Sequence, residues 1–211
     1  MTALRATVII DYQNVYSGTK LFDSQMVKIP RIVHPLHYGN EIIKIRNQKQ
    51  SMATLVKVLV YRGLPSSEYE PRKYAHNQSQ KSEWEKSPLV KVTMRPLKYD
   101  FQRDTQGKLI LDRLSKKIVM WPPQEKGIDV HCALALILET LNPKVDLVIL
   151  CTQDTDLVPA LDEALKLKAA KVETASWEGS KLIRPTHPGH VWNTTLNANS
   201  FIASLDTKVY F

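Results

Sequence analysis

Several patterns that commonly announce a function are missing from this chain. Glycine is scarce, with 7 in 211 residues. Neither G-x-x-x-x-G-K-[ST] nor G-x-G-x-x-G occurs, which excludes the P-loop and the dinucleotide fingerprint. There are two cysteines, Cys132 in "HCALALIL" and Cys151 in "LVILCT". Both lie in apolar runs, where a thiol serves as a small buried hydrophobe, and two cysteines signal neither a zinc site nor a disulfide framework. No apolar stretch reaches membrane-spanning length. The segment "MTALRATVIIDYQN" has no secretory h-region and runs straight into an expected strand, so a cytoplasmic protein is predicted. Internal repeats and low-complexity tracts are also missing.

What is present is an ordinary globular composition, 43% hydrophobic and 24% charged, enough for one sizeable core. We expect a single domain over 1–211, with 98–123 as an inserted lobe. The formal charge is +8 and the pI about 9.4. A basic surface favours acidic partners such as nucleic acid or anionic lipid, and is equally compatible with a merely well-solvated protein.

Apolar β-branched runs predict strands at 6–10, 54–63, 89–97, 145–151 and 171–177. Residues 12–37 read as a loop with one helical turn. A helix is expected over 40–50 with Asn40 as its cap, a polar surface helix from near Pro71, and a last short helix in "LNANSFIASL". "GIDVHCALALILETL", 127–141, is apolar on nearly every face, which predicts a buried helix. Residues 98–121 surround the turn pattern "DTQG" with short apolar patches and predict an irregular or hairpin-like insertion. "RPTHPGHVWN" reads as a loop. Strands alternating with helices predict an α/β fold, a three-layer α/β/α sandwich around a mainly parallel sheet.

Carboxylates follow the strands. Asp11 ends the first, Asp154 and Asp156 follow the fourth in "VDLVILCTQDTDLVPAL", and Asp129 lies in the first turn of the apolar helix. In open α/β sheets ligands bind beyond the carboxyl ends of the strands. Carboxylates gathered there repel one another, and a hard cation such as Mg²⁺, which takes oxygen ligands and keeps several waters, removes that penalty. Asn14 offers an amide oxygen and Thr152 a hydroxyl. Taken singly, each residue has a structural alternative: Asp11 as a loop residue, Asp129 at a helix dipole, Asp154 in a turn and Asp156 as a helix cap. Their common position at one sheet edge favours a site.

The three pieces "VIIDYQNVY", "EKGIDVHCALALI" and "LCTQDTDLVPALDEA" resemble, in order and spacing, the NYN domains of the PIN-like nuclease superfamily. The resemblance covers nearly the whole chain, from Val8 to about Phe201. It implies a PIN-like α/β/α fold and a metal-dependent ribonuclease. Asp11, Asp129, Asp154 and Asp156 would be ligands of Mg²⁺ or Mn²⁺, directly or through water. Asn14 and Thr152 would support them, and the products would carry 5′-phosphate and 3′-hydroxyl ends. Two departures stand out: Thr152-Gln153-Asp154 replaces a common Ser-Gly-Asp, and Asn197 and Asn199 stand where an acid is common.

From Lys91 to Lys126 nine basic residues face four acidic ones, +5 of the chain's +8. Arg95, Lys98, Arg103, Lys116, Lys117 and Lys126 are the candidate RNA-binding residues, with Tyr99, Phe101 and Trp121 interleaved to stack on unpaired bases. The alternative is a charged surface over core aromatics. His34-Pro35-Leu36-His37 and His187-Pro188-Gly189-His190 are expected to be surface loops rather than a four-histidine zinc site, since structural zinc sites usually include cysteine. His131 is either a general base beside Asp129 or a hydrogen-bonded core histidine. The expected partner is RNA, with no membrane; a homodimer is left open. The principal alternative function is a non-catalytic RNA-binding module of the same fold. A haloacid-dehalogenase-type phosphatase is disfavoured, because that chemistry wants an aspartate where Gln13 stands.

Overall fold

A computed structural model describes residues 2–25, 31–114, 117–186 and 190–210. Its six strands are β1 (Leu4–Asp11), β2 (Ala53–Leu64), β3 (Val90–Pro96), β4 (Leu147–Cys151), β5 (Lys171–Trp177) and β6 (Asn193–Leu196). They form one sheet in the order β3-β2-β1-β4-β5-β6, parallel at every pairing. The helices are α1 (Tyr12–Gly18), α2 (Pro35–Asn47), α3 (Pro71–Trp84), α4 (Ile128–Thr140), α5 (Val158–Leu167) and α6 (Ala198–Ala203). The expected α/β class with a sheet flanked by helices is therefore present. No helix of the described residues is long and apolar enough to cross a membrane.

The central strands are apolar on both faces because both faces are covered. In β1, Val8 and Ile10 join Tyr38 and Ile42 of α2 and Phe201 of α6 in one core. Ile9, one residue out of step, joins Leu136 of α4 and Leu161 of α5 in the other, as the twofold period of a strand requires. Both cysteines are buried and free, in the role their surroundings predicted.

Four expectations need correction. The segment expected as a loop holds α1, then a 3-10 segment Thr19–Gln25. The next helix starts at Pro35, with His34 rather than Asn40 at its cap position, because proline's fixed φ suits the first helical residue. A sixth strand, β6, follows the "RPTHPGHVWN" loop; its four residues carry too short a pattern to read. Finally, α4 is not buried all round. It packs on the sheet and against α5, and the described residues leave its outer flank uncovered: Val130, Leu134, Leu138 and the adjoining Leu141 are more than half exposed. The insertion is hairpin-like, as expected, held by antiparallel bridges such as Lys98 with Gln124 and Phe101 with Met120.

One buried ion pair joins the layers. Arg46 of α2 donates two hydrogen bonds, 2.7 and 3.0 Å, to the carboxylate of Glu173 in β5, and both side chains are fully buried. Lys171 reaches the same carboxylate at 2.7 Å. Removing Glu173 leaves Arg46 with no counter-charge in the interior, and removing Arg46 leaves the buried Glu173 with Lys171 alone. Arg46→Met or Glu173→Gln alone should cost about 3–5 kcal/mol in chemical denaturation, and the double replacement by apolar residues of similar volume much less. Additive losses would count against the pair acting as a unit.

Candidate functional site

The chain runs outward from β1 to β2 and β3, then returns to place β4 on the other side of β1. The crevice beyond the strand ends at this reversal is the usual ligand position in such sheets. The register determines what faces it. Ile10 pairs with Cys151, so the next residues, Asp11 and Thr152, emerge side by side. The Thr152 hydroxyl donates to Asp11 Oδ2 at 3.0 Å.

Asp11 also caps α1. Its carboxylate accepts the Asn14 backbone N–H at 3.3 Å and the Asn14 side-chain amide at 2.7 Å. The Asp-x-x-Asn spacing is thus a capping arrangement that orients the carboxylate. The chain after β4 continues the pattern: Asp154 donates its backbone N–H to Thr152 Oγ1 at 3.1 Å, and its carboxylate accepts the Asp156 N–H at 3.0 Å. Asp154, not Asp156, is therefore the cap of the short 3-10 turn Thr155–Leu157. Gln153 adds a bond from its amide to the Asn14 carbonyl, 3.3 Å.

Asp11, Asn14, Asp129 and Asp154 line one cavity of about 250 Å³, together with Lys126 and Glu125. Thr152 is buried behind Asp11. Asp156 is exposed and lies outside this lining. Glu125 escaped sequence reasoning, in which it served only as a charge within the basic segment; its place just before Gly127, the left-handed cap of the helix that carries Asp129, was the available sign. Glu125 Oε1 accepts the Gly63 N–H at 2.5 Å. Gly63 leaves room for this contact: a methyl would lie 2.2 Å from Leu97 Cδ2 and 2.7 Å from Glu125 Oε1, so both side-chain ends would have to move.

Burial pushes the Asp11 carboxyl above its ordinary range, against the pull of its hydrogen bonds, and the Asp154 charge adds to the rise. Burial raises Glu125 as well, reinforced by Asp11 and opposed by the Gly63 N–H and Arg62. Every group lining the crevice that could face a cation is a hard oxygen donor, which fits Mg²⁺ or Mn²⁺. Among the described residues no three His, Cys, Asp or Glu side chains are grouped closely enough to enclose an ion. An ion held there would have to keep much of its water.

Of the basic residues, Lys126 lines the crevice, and the Arg95 guanidinium lies against Gly127, 3.2 Å from where a Cβ would stand. Lys98 pairs with Asp100 at 3.2 Å, and Arg103 donates to the Gly107 carbonyl within the insertion. Lys117 is exposed on the insertion; Lys116 and His187 lie outside the described residues. His131 is half-buried and stacks on Tyr61, with ring centroids 5.8 Å apart, and it does not line the crevice. His34 and His37 stack on each other at 4.2 Å.

No family model and no curated protein matches this chain. Among solved structures it is similar to a protein of unknown function from Vibrio parahaemolyticus RIMD 2210633. The two share 17% identity over 85% of each chain, with a TM-score of 0.45.

The folded carboxyl of Asp11 holds its proton at higher pH than the unfolded one. Its ionised form therefore costs stability at neutral pH, and that cost vanishes as pH falls through the folded pKa. A carboxyl NMR titration of metal-free protein should place Asp11 above the usual aspartate range, and Asp154→Asn should move it down. An unmoved Asp11 would mean that the two carboxylates do not sense each other.

Proposed function

We propose that this chain is a metal-dependent ribonuclease of the NYN, PIN-like kind. The observation that carries the reading is the convergence of Asp11, Asn14, Asp129, Asp154 and Glu125 on one crevice at the reversal of strand order. An RNA-facing role accords with the +8 charge.

When bound, Mg²⁺ or Mn²⁺ supplies Lewis-acid stabilisation of phosphate charge and a more acidic water. The chain's own residues do the rest. Asp11, Asp129 and Asp154, with Glu125, would hold the cation, largely through its water shell. Asn14 and Thr152 fix the Asp11 carboxylate through the bonds described above, so that little reorganisation is needed when substrate arrives. Lys126 and Arg95, at the mouth, offset the charge of an incoming phosphate. Asp156, outside the crevice, acts through its backbone N–H, which fixes Asp154.

A second reading, a non-catalytic RNA-binding module, draws on the looseness of the acid cluster. Cleavage of a pool of labelled RNAs with Mg²⁺, with Mn²⁺ and with chelator separates the two. The nuclease requires metal-dependent cutting that falls at least about a hundredfold in Asp11→Asn or Asp154→Asn. RNA binding without turnover by folded protein selects the module.

A further inference from the structure

Beside the acidic crevice lies a second cavity of about 300 Å³, whose lining includes Arg62, Tyr12, Gln13, Asn77 and Leu97. Glu125 belongs to both linings and forms the ridge between them. Beyond it a third cavity, about 480 Å³, is walled by Tyr69, Tyr74, Tyr99 and Phe101, and shares Pro65 and Leu97 with the second. The three make a continuous track from acids through a cation to aromatic rings.

Arg62 is the unusual member. Its guanidinium lies 4.5 Å from the Tyr12 ring centroid and 5.6 Å from that of Trp84. It donates to two neutral amide oxygens, Gln80 at 2.8 Å and Asn77 at 3.0 Å. Among the described residues no carboxylate pairs with it, and its remaining N–H groups have no protein acceptor. Desolvation lowers its pKa, yet an arginine stays charged at neutral pH. A cation held in place by rings and amides, with no carboxylate in salt-bridge contact among the described residues and open to a cavity, is arranged for an anion from outside. The nearby negative group is Glu125, whose Oε1 is engaged by Gly63.

We propose that this track is a nucleotide subsite for single-stranded nucleic acid: Arg62 takes a backbone phosphate and the Tyr69–Phe101 pocket takes the adjoining unpaired base. Tyr69 and Phe101 present rings at 75°, with centroids 5.3 Å apart, and Tyr69 is partly exposed, so a base can stack on it. Because Glu125 alone separates the two cavities, a phosphate on Arg62 lies beside the acidic crevice. The orientation of a strand relative to a cut rests on the nuclease reading above; binding at the track does not.

The test uses full-length protein in chelator, so that no cleavage intervenes. Fluorescence anisotropy is recorded against salt for one short RNA as single strand, with 5′-hydroxyl or 5′-phosphate, and as a duplex. Tyr69→Ala should weaken single-strand binding roughly tenfold and leave duplex binding unchanged. Arg62→Gln, which removes the charge, should reduce the salt slope by about one. Inorganic phosphate should shift the Arg62 Nε–H resonance of the wild type, a readout that needs no variant to fold. A gain confined to the 5′-phosphorylated strand identifies a terminal phosphate, and equal binding an internal one; both support the subsite. Wild-type affinity and slope in both variants, or an Arg62 resonance unmoved by phosphate, would overturn it. A protein that binds this way but cuts no RNA defeats the nuclease reading alone, and one that cuts normally with both variants silent defeats the subsite alone.

Discussion

The hydroxyl of Thr152 holds the innermost strands' ends in relation to each other. It donates to Asp11 and accepts from the backbone of Asp154, so one oxygen links the end of β1 to the turn after β4. Everything in the crevice refers to that link. Asp11 is oriented by it, Asp154 follows it by two residues, and the Asp154 charge is near enough to burden Asp11. A threonine serves because its single oxygen both gives and takes a hydrogen bond, whereas a purely apolar residue would leave Asp11 with only the donors of Asn14.

The same crevice explains why uncommon backbone features gather around it. Gly63 leaves room for Glu125, and Gly127 turns the chain through φ 75° to start the helix that carries Asp129. Both glycines belong to a chain that has only seven. Acids, a fixed arginine and an aromatic wall follow one another along the sheet edge. The first part suits cations, the second anions and the third flat rings. A nucleotide, the ligand proposed for this track, presents the complements of the last two.

Much of this arrangement could be read from the sequence because the carboxylates are tied to strand ends, and strand ends are where apolar β-branched runs stop. Asp11, Asp129 and Asp154 fall where those runs place them. Asp156 shares the spacing but not the position: capping geometry turns its backbone toward Asp154 and leaves its side chain in water. Glu125 and Arg62 were invisible to local pattern. Glu125 follows an irregular insertion and reaches the site only through Gly63. Arg62 stands in a strand as one charge among apolar neighbours, and its importance depends on partners 15 and 18 residues away. The exposed flank of α4 failed for a related reason, since apolar content tells how much a helix can bury but not whether a neighbour exists to cover it.

The pair of Arg46 and Glu173 has a consequence for how such a chain can change over generations. Neither can be exchanged first without loss: without Glu173 the buried Arg46 is a stranded charge, and without Arg46 the buried Glu173 keeps only Lys171. A sequence drifting one residue at a time is therefore held at both positions, although neither touches the crevice. The bond between α2 and β5 acts as a ratchet on descent: it can be lost or replaced as a unit, and until then it preserves the packing of one whole layer against the sheet on which the acids are mounted.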